Sequence, residues 1–513
     1  MKKFLLFLFL FSQIISFAQN KVATIFDAES GEPIPFANIK VGTNSNNISN
    51  GEGKFNIAIT SENETTVIEV SYIGYETQQL TIKQLEKQNF IIKLKPGVYE
   101  LNNVDVSDKK EDVASIMAKV KANLKDNYTS PNIPLNNTIF IREQNAFKAK
   151  QFKVEIEKST GFSKSKLKEV NAEINRFASR MKQNPPLQFT DFLGVYSSLL
   201  SKKEDKMFNS SRLNVLKATK IKDENRSVSL DDIEESATTM FLKHLDTTKF
   251  YRVKSGWFGS RDTISFSKKF NENRKSNKKE AGIDVKVEPK NVVGAKSVIV
   301  NTQMVAHPLY GTNTDFMRQT DWYKYTLDGA VFTSDYKLVY VIKFEPKKGK
   351  AKYEGTLYVS ENDYAVVKTT YRLAKGKTLG GLNLKWILGI KVFENVSSGT
   401  FIYKENPDTK NYYLQYANRE EGQYFYINRP LKFIELADED RDVLALDIKA
   451  EGDMLDKTEY LNLGQKEITI ADFEAIKETD FKYIKIKKYD PKIWKEFTTI
   501  EPVNEMKQFT IEE

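Results

Sequence analysis

From about Phe250 to Glu451 the chain repeats one signal, short runs in which apolar and polar residues alternate between polar turns. The runs are YKYTLD, KLVYVIKFE, YEGTLYVS, YAVVKTTYRL, LKWILGIKVF, GTFIYKE, NYYLQYANRE, QYFYINRPLKF and VLALDIKAE, with NPDTKN and EEGQ among the turns. A period of two puts every second side chain on one face, the mark of a half-buried strand. Strands that follow one another this closely are antiparallel neighbours. A sheet of that size has an apolar face to bury. LKEVNAEINRFASRM, PPLQFTDFLGVYSSLL and LDDIEESATTMFLKHL, between Lys164 and His244, read as helices that cover it, two of them separated by Pro185-Pro186. The expected architecture is α+β: one large curved antiparallel sheet with helices over its concave side. VASIMAKVKANL adds a further packing helix, with Val113, Ile116, Met117, Val120 and Leu124 on one face.

The N-terminus reads as an export signal over residues 1–18. Two lysines precede FLLFLFLF, and Ser16-Phe17-Ala18 puts small residues at the cleavage positions, giving a mature start at Gln19. The chain contains no cysteine, so disulfide staples and thiol-linked lipid anchors are excluded. Later apolar segments are interrupted by charge, as LNLKWILGIKVF is by Lys385 and Lys391, and no transmembrane segment is expected in the mature chain. A net charge of +9, or +7 without Lys2 and Lys3, is modest for 513 residues and gives no sign of a nucleic-acid surface. A transmembrane barrel would use similar strands, with Lys343, Lys368, Arg372 and Lys391 facing inward, but the ending KQFTIEE lacks a closing strand with a terminal aromatic.

Between the signal and residue 107, KVATIFD, IPFANIKV, GKFNIAI, TVIEVSYIGYE, QQLTI and FIIKL read as short strands joined by Gly- and Pro-rich turns, with TNSNNISNGEG as a polar loop. That density predicts a small β-sandwich in which Gly31, Gly51 and Gly53 are turn residues. NGEG lacks the Lys-Ser/Thr of a phosphate loop. Asp27, the run from Ser30 to Ile39 (SGEPIPFANI), the run from Gly51 to Phe55 (GEGKF) and the run from Ser71 to Glu76 (SYIGYE) resemble the carboxypeptidase-D regulatory-like domain. The resemblance covers about residues 20–107, and Ala23 stands where that family usually has glycine. It implies a transthyretin-like, non-catalytic accessory module of exported Bacteroidota proteins, including extensions of TonB-dependent receptors. Peptidase chemistry is set aside, because only His244 and His307 are present and neither has the His-x-x-Glu pairing of a zinc site. Both histidines read as helix-end or loop residues.

The fold class is therefore mainly β. The expected organisation is a signal (1–18), the sandwich (19–107), a linker and helical layer (108–250), a sheet domain packed with that layer (251–455) and a mixed C-terminal segment (456–513). The strand run is also similar to the half-barrel of lipoprotein-sorting carriers and to the periplasmic regions that follow the regulatory-like module in other envelope proteins. Candidate partner residues are Lys268, Lys269, Arg274, Lys275, Lys278 and Lys279 in SKKFNENRKSNKK, together with Tyr424, Tyr426 and Arg429 in GQYFYINRP. The basic stretch and KKGKAK at residues 347–352 have the charge to contact lipopolysaccharide phosphates or an acidic partner. DEDRD at residues 438–442 lacks the ligand alternation of a calcium loop, and no catalytic triad, nucleophile elbow or nucleotide loop is present. The sequence thus implies a non-enzymatic docking subunit without cofactor or metal, partnered by outer-membrane or periplasmic proteins. The alternative is a periplasmic lipid or lipoprotein carrier.

Overall fold

The structure, a computed structural model, describes residues 19–42, 45–59, 63–99, 112–160, 163–203, 206–222, 250–255, 258–265, 291–333, 337–436, 443–497 and 499–509. It opens with β1 (Gln19–Asp27), β2 (Asn38–Val41), β3 (Ser45–Ile48), β4 (Lys54–Ile59), β5 (Val67–Ser71), β6 (Gln78–Thr81), helix α1 (Ile82–Lys87) and β7 (Ile91–Leu94). Sheets β4-β1-β7 and β3-β2-β5-β6 face each other across Ile25, Ile39, Phe55, Ile57, Ile68 and Val70, forming the sandwich. The loop read in TNSNNISNGEG contains β3 before its turn. Gly53 has φ +71°, and a Cβ there would sit 2.8 Å from the Ile25 carbonyl oxygen, so the turn needs glycine. Helix α1, absent from the alternation reading, is started by reciprocal Thr81 and Gln84 caps.

The chain continues through β8 (Val98–Tyr99), α2 (Val113–Tyr128), β9 (Leu135–Ser159), α3 (Lys164–Gln183), β10 (Leu187–Lys203), β11 (Lys206–Lys222), β12 (Phe250–Ser255), β13 (Phe258–Ser265) and α4 (Asn291–Val305). Then come β14 (Tyr323–Phe332), β15 (Leu338–Pro346), β16 (Tyr353–Ser360), β17 (Val366–Leu373), β18 (Gly381–Leu384), α5 (Lys385–Leu388), β19 (Ile390–Glu405), β20 (Tyr412–Glu435) and β21 (Val443–Glu467). Helix α6 (Ile470–Ala475), β22 (Ile484–Ile486) and α7 (Asn504–Lys507) finish it. One sheet of fifteen strands dominates, ordered β22-β11-β10-β9-β21-β20-β19-β17-β16-β15-β14-β8, with β12, β13 and β18 attached beside this path. Among the described residues it is open, with edges at β22 and β8. Its longest ladder pairs β9 with β21, from Leu135 opposite Glu467 to Ser159 opposite Leu444.

Several segments differ from their expected form. PPLQFTDFLGVYSSLL, read as a helix, contains β10, and β9 and β11 also lie in the region read as a linker and helical layer, whose described residues include the helices α2 and α3. Strands from both sides of residue 250 share the sheet, and β21 runs across residue 456, so neither position is a boundary between layers. EEGQ is no turn but the middle of β20, whereas NPDTKN does turn, with the Asn406 side chain accepting from the amides of Asp408 and Thr409. LKWILGIKVF is not one strand but a β18-α5-β19 hairpin. LDDIEESATTMFLKHL, the signal and most of the linker lie outside the described residues.

Helices α2 and α4 and the segment 312–322 cover one sheet face. Ile116, Val120, Ile299 and Phe316 pack there against Ile141, Tyr196, Ile342 and Leu357. Helix α3 instead sets Val170 and Ile174 on Ile156, Leu444 and Leu446 at the far ends of β9 and β21. Helices α2 and α3 are capped by their own sequence: Asp112 accepts from the Ser115 amide at 2.7 Å, and Ser163 from the Lys166 amide at 3.2 Å. Phe316 is fully buried and stacks on Phe344 with ring centroids 4.1 Å apart. Phe316→Ala is expected to lower stability by about 3–5 kcal/mol in denaturant titration. A loss below about 1 kcal/mol would mean that this aromatic layer does not hold the segment 312–322 on the sheet.

Candidate functional site

Strand register builds the other face. Tyr358, Lys368, Ile402, Tyr416, Leu461, Phe140 and Leu193 stand opposite one another on β16, β17, β19, β20, β21, β9 and β10. Residues directly opposite in a sheet point the same way, so this row forms a platform across seven strands. Two residues along, a polar row runs parallel to it: Asn418, Glu459, Arg142 and Asp191. Arg142 grips Asp191 with two hydrogen bonds, Nε to Oδ1 at 3.0 Å and Nη2 to Oδ2 at 2.7 Å. Its Nη1 donates to the Ile500 carbonyl at 3.2 Å and lies 3.9 Å from the Glu459 carboxylate. Burial works against the guanidinium's charge, but Asp191, then Glu459 and Glu501, outweigh it and hold Arg142 above its ordinary pKa. Burial raises Glu459, and Arg142 only partly offsets it.

Two things sit on this platform. One is the C-terminal segment, where Ile500 joins the apolar row and Trp494 meets Phe140 edge to face at 5.6 Å. The other is the sandwich. Phe36, held at φ +62°, lays its ring 5.0 Å from that of Tyr416, and Ile48 enters the same cluster. Asn50 donates to the Glu501 carbonyl at 3.0 Å while its own oxygen accepts from the Lys54 amide at 3.0 Å. The Glu52 carboxylate accepts from the Asn504 amide at 2.8 Å. Beside this seam opens a cavity of about 510 Å³ lined by Lys40, Glu69, Lys337, Lys404, Glu405 and Lys410 among others. Lys337 and Lys410 both lean on Glu405, at 3.1 and 3.5 Å. Partial burial, then Lys40, lowers the Lys404 ammonium. Four lysines face two glutamates in this lining, an excess of positive charge that favours an acidic group.

Residues 24–106 match the CarboxypepD_reg-like domain family. This stretch is a CarboxypepD_reg-like domain. No curated protein matches the chain. Among solved structures, the complex of Pseudomonas aeruginosa MucA/MucB aligns over 66% of this chain and 94% of that one at 7% identity, with a TM-score of 0.15, too loose a superposition to establish a shared fold.

The motif residues of the regulatory-like domain divide between its own fold and the platform. Tyr75 donates to Asp27 at 2.7 Å inside the domain, and that bond, the largest cause, lowers the half-buried Asp27 carboxyl. Phe36 and Tyr72 instead reach the sheet, and Asn50, just before GEGKF, reaches the C-terminal segment. Lys368, 2% exposed, donates to the Tyr72 hydroxyl at 2.5 Å, with its ammonium 3.8 Å from the Tyr72 ring centre and 5.1 Å from that of Tyr358. Among the described residues no carboxylate bonds it. Burial lowers its pKa to about 8 and raises that of Tyr72 to about 12.

Of the residues singled out from sequence, Lys268, Lys269, Arg274, Lys275, Lys278 and Lys279 lie outside the described residues, as do DEDRD and His244. Tyr424, Tyr426 and Arg429 lie on β20 away from the regulatory-like domain. Tyr424 donates to Glu451 at 2.9 Å, and Tyr426 lies under Lys385 at 4.3 Å. In KKGKAK, Lys348 pairs with Asp321 at 2.6 Å and Lys350 lies over Trp322. His307 follows α4, stacks on Tyr310 at 3.9 Å and is lowered by burial to about 4. Among the described residues no group of three or more His, Cys, Asp or Glu side chains is placed to hold a metal ion, and no helix is long and apolar enough to cross a membrane. Arg142, Asp191 and Lys368 form the site, yet no spacing in the sequence marks them, because strand pairing alone brings them together.

Arg142→Met leaves Asp191 buried without its partner and is expected to lower stability by about 3–5 kcal/mol in urea titration, with faster proteolysis around residue 500. Adding Asp191→Leu should restore part of the loss, and a single variant as stable as wild type would show that the pair holds nothing. Lys368 gives a pH signature. An unfolded lysine keeps its proton to about pH 10.4, while the folded one releases it near 8. Between those values the unfolded chain binds the extra proton, so stability rises with pH and is independent of this group below 8. The stability of wild type relative to Lys368→Met should therefore climb by about 2 kcal/mol between pH 8 and about 9.5. A flat difference would place a charged lysine at the seam throughout.

Proposed function

We propose that the protein is an exported, non-enzymatic docking subunit at the periplasmic face of the outer membrane, working within an uptake, protein-assembly or secretion complex. One observation carries this reading: the regulatory-like domain spends Phe36 and Tyr72 on gripping the sheet and Asn50 on the C-terminal segment beside it, and the grip leaves a lysine-lined cleft at the seam. A cleft with surplus positive charge suits an acidic segment of a protein partner, drawn in by charge and held between two rigid β surfaces. The layer that a carrier would need for an apolar ligand, between the helices and the sheet, is filled by Phe316, Phe344, Tyr353 and Tyr371. Export is supported by the sequence of residues 1–18, and accessory character by the regulatory-like domain.

Affinity purification from detergent-solubilised outer membranes at mild salt is expected to recover stoichiometric protein partners. Lys40→Glu with Lys404→Glu should reduce that recovery about tenfold while leaving the melting curve unchanged. Recovery of the protein alone from osmotically shocked periplasm would contradict the proposal.

A further inference from the structure

The hairpin that replaces the expected strand in LKWILGIKVF carries a surface that the docking reading does not use. Trp386 is 94% exposed and Leu382 51% exposed, at the end of the sheet where β18 turns through α5 into β19. Residues 375–391, KGKTLGGLNLKWILGIK, hold four lysines and no acid. A tryptophan exposed almost completely, with an exposed leucine on the adjoining strand, gives the hairpin apolar surface available to a membrane or a partner.

The hairpin is built, not loose. β18 pairs with β19 from Gly381 opposite Phe393 to Leu384 opposite Ile390. Gly389 ends α5 at φ +65°, where any Cβ would collide with the Asn428 carbonyl, and its own carbonyl accepts from the Asn428 amide at 2.8 Å. Gly381 lies against Phe393 in the same way. Trp386 is thus presented on a short turn tied by backbone bonds to β19 and β20. Lysines ring its base: Lys385 over Tyr426 at 4.3 Å, and Lys391 over Phe393 at 4.7 Å. The nearest acid, Glu394 on β19, is exposed beside Gly380 at the end of β18 away from α5, while on β21 Glu451 accepts from Tyr424 and Asp453 pairs with Lys150 at 2.8 Å.

We propose that this tip is a membrane-surface anchor that inserts Trp386 and Leu382 into the headgroup layer of an anionic lipid bilayer, with the surrounding lysines on the lipid phosphates. An indole with one polar N–H suits the boundary between headgroups and acyl chains, long lysines reach outward from apolar surroundings, and positive charge without acid is attracted to anionic lipid. A protein groove would accept the indole as well, but Lys385 and Lys391 flank it while Glu394 is set back at the far end of β18, a charge pattern that favours a uniformly negative surface.

The test uses the purified mature chain and needs no protein partner, so its outcome is separate from that of the docking reading. Wild type should co-float with vesicles containing phosphatidylglycerol and much less with vesicles of phosphatidylcholine alone, and added salt should weaken it. Trp386→Ala should bind about tenfold more weakly, with an unchanged melting temperature because the side chain is exposed. Lys385→Gln with Lys391→Gln should reduce the preference for anionic lipid. On binding, tryptophan emission should shift to the blue, and Trp386→Phe should abolish the shift. Absence of flotation, or flotation unaffected by Trp386→Ala, overturns the proposal. So does a Trp386→Ala variant that loses a protein partner while still binding vesicles.

Discussion

Register is the constraint on which the rest of this structure depends. Across seven strands one row of residues, from Tyr358 to Leu193, points toward the N-terminal sandwich and the C-terminal segment. The neighbouring row through Ile342, Leu357, Phe401, Ala417, Tyr460, Ile141 and Phe192 points toward the helices. A slip of one residue on any of these strands would send its platform residue into the helical layer and its core residue to the seam. The buried Arg142-Asp191 pair resists such a slip on β9 and β10, because moving either strand leaves both charges unpartnered in a dry interior. Long-range pairing carries the same logic through the chain. Strand β9 pairs with β21, some three hundred residues later, so the platform exists only when most of the chain has folded.

What was legible in the sequence follows from how each strand is covered. The sandwich announced itself through turn glycines and short alternating runs, and β14 to β17 through clean alternation, because each has a more exposed face. Strand β10 did not. Leu187, Phe189 and Leu193 face the C-terminal segment and the platform, while Phe192 and Tyr196 face the helices, so both sides are apolar. The spacing of those residues, with the register shift at Leu193 and Gly194, imitates a helical stripe. Strand β20 was divided in two at EEGQ because a polar run resembles a turn, whereas Glu420 pairs there with Lys457 and the strand carries on. The site was less legible than the fold. Arg142, Asp191 and Glu459 are ordinary charged residues until three strands set them side by side, and Lys368 is one lysine among many on alternating strands until Tyr72 covers it.

The regulatory-like domain makes a different use of its motif than its small size suggests. Asp27, Tyr75 and Gly53 keep the domain folded, while Phe36 and Tyr72 join it to the large sheet and Asn50 to the C-terminal segment. The seam is closed from the far side by the C-terminal segment, whose Glu501 and Pro502 carbonyls accept from Asn50. Sandwich, sheet and chain end therefore brace one another. The cleft lies between these packed β surfaces.

The central claim is that sandwich and sheet are one rigid body. The chain has no cysteine, so spin labels can be placed at Lys87→Cys on α1 and Met454→Cys on β21, both exposed, without removing any native residue of that type. The distance between them, measured by pulsed electron resonance in frozen solution, should show a single narrow distribution. A broad or two-peaked distribution would show a sandwich moving on a tether and would contradict the account.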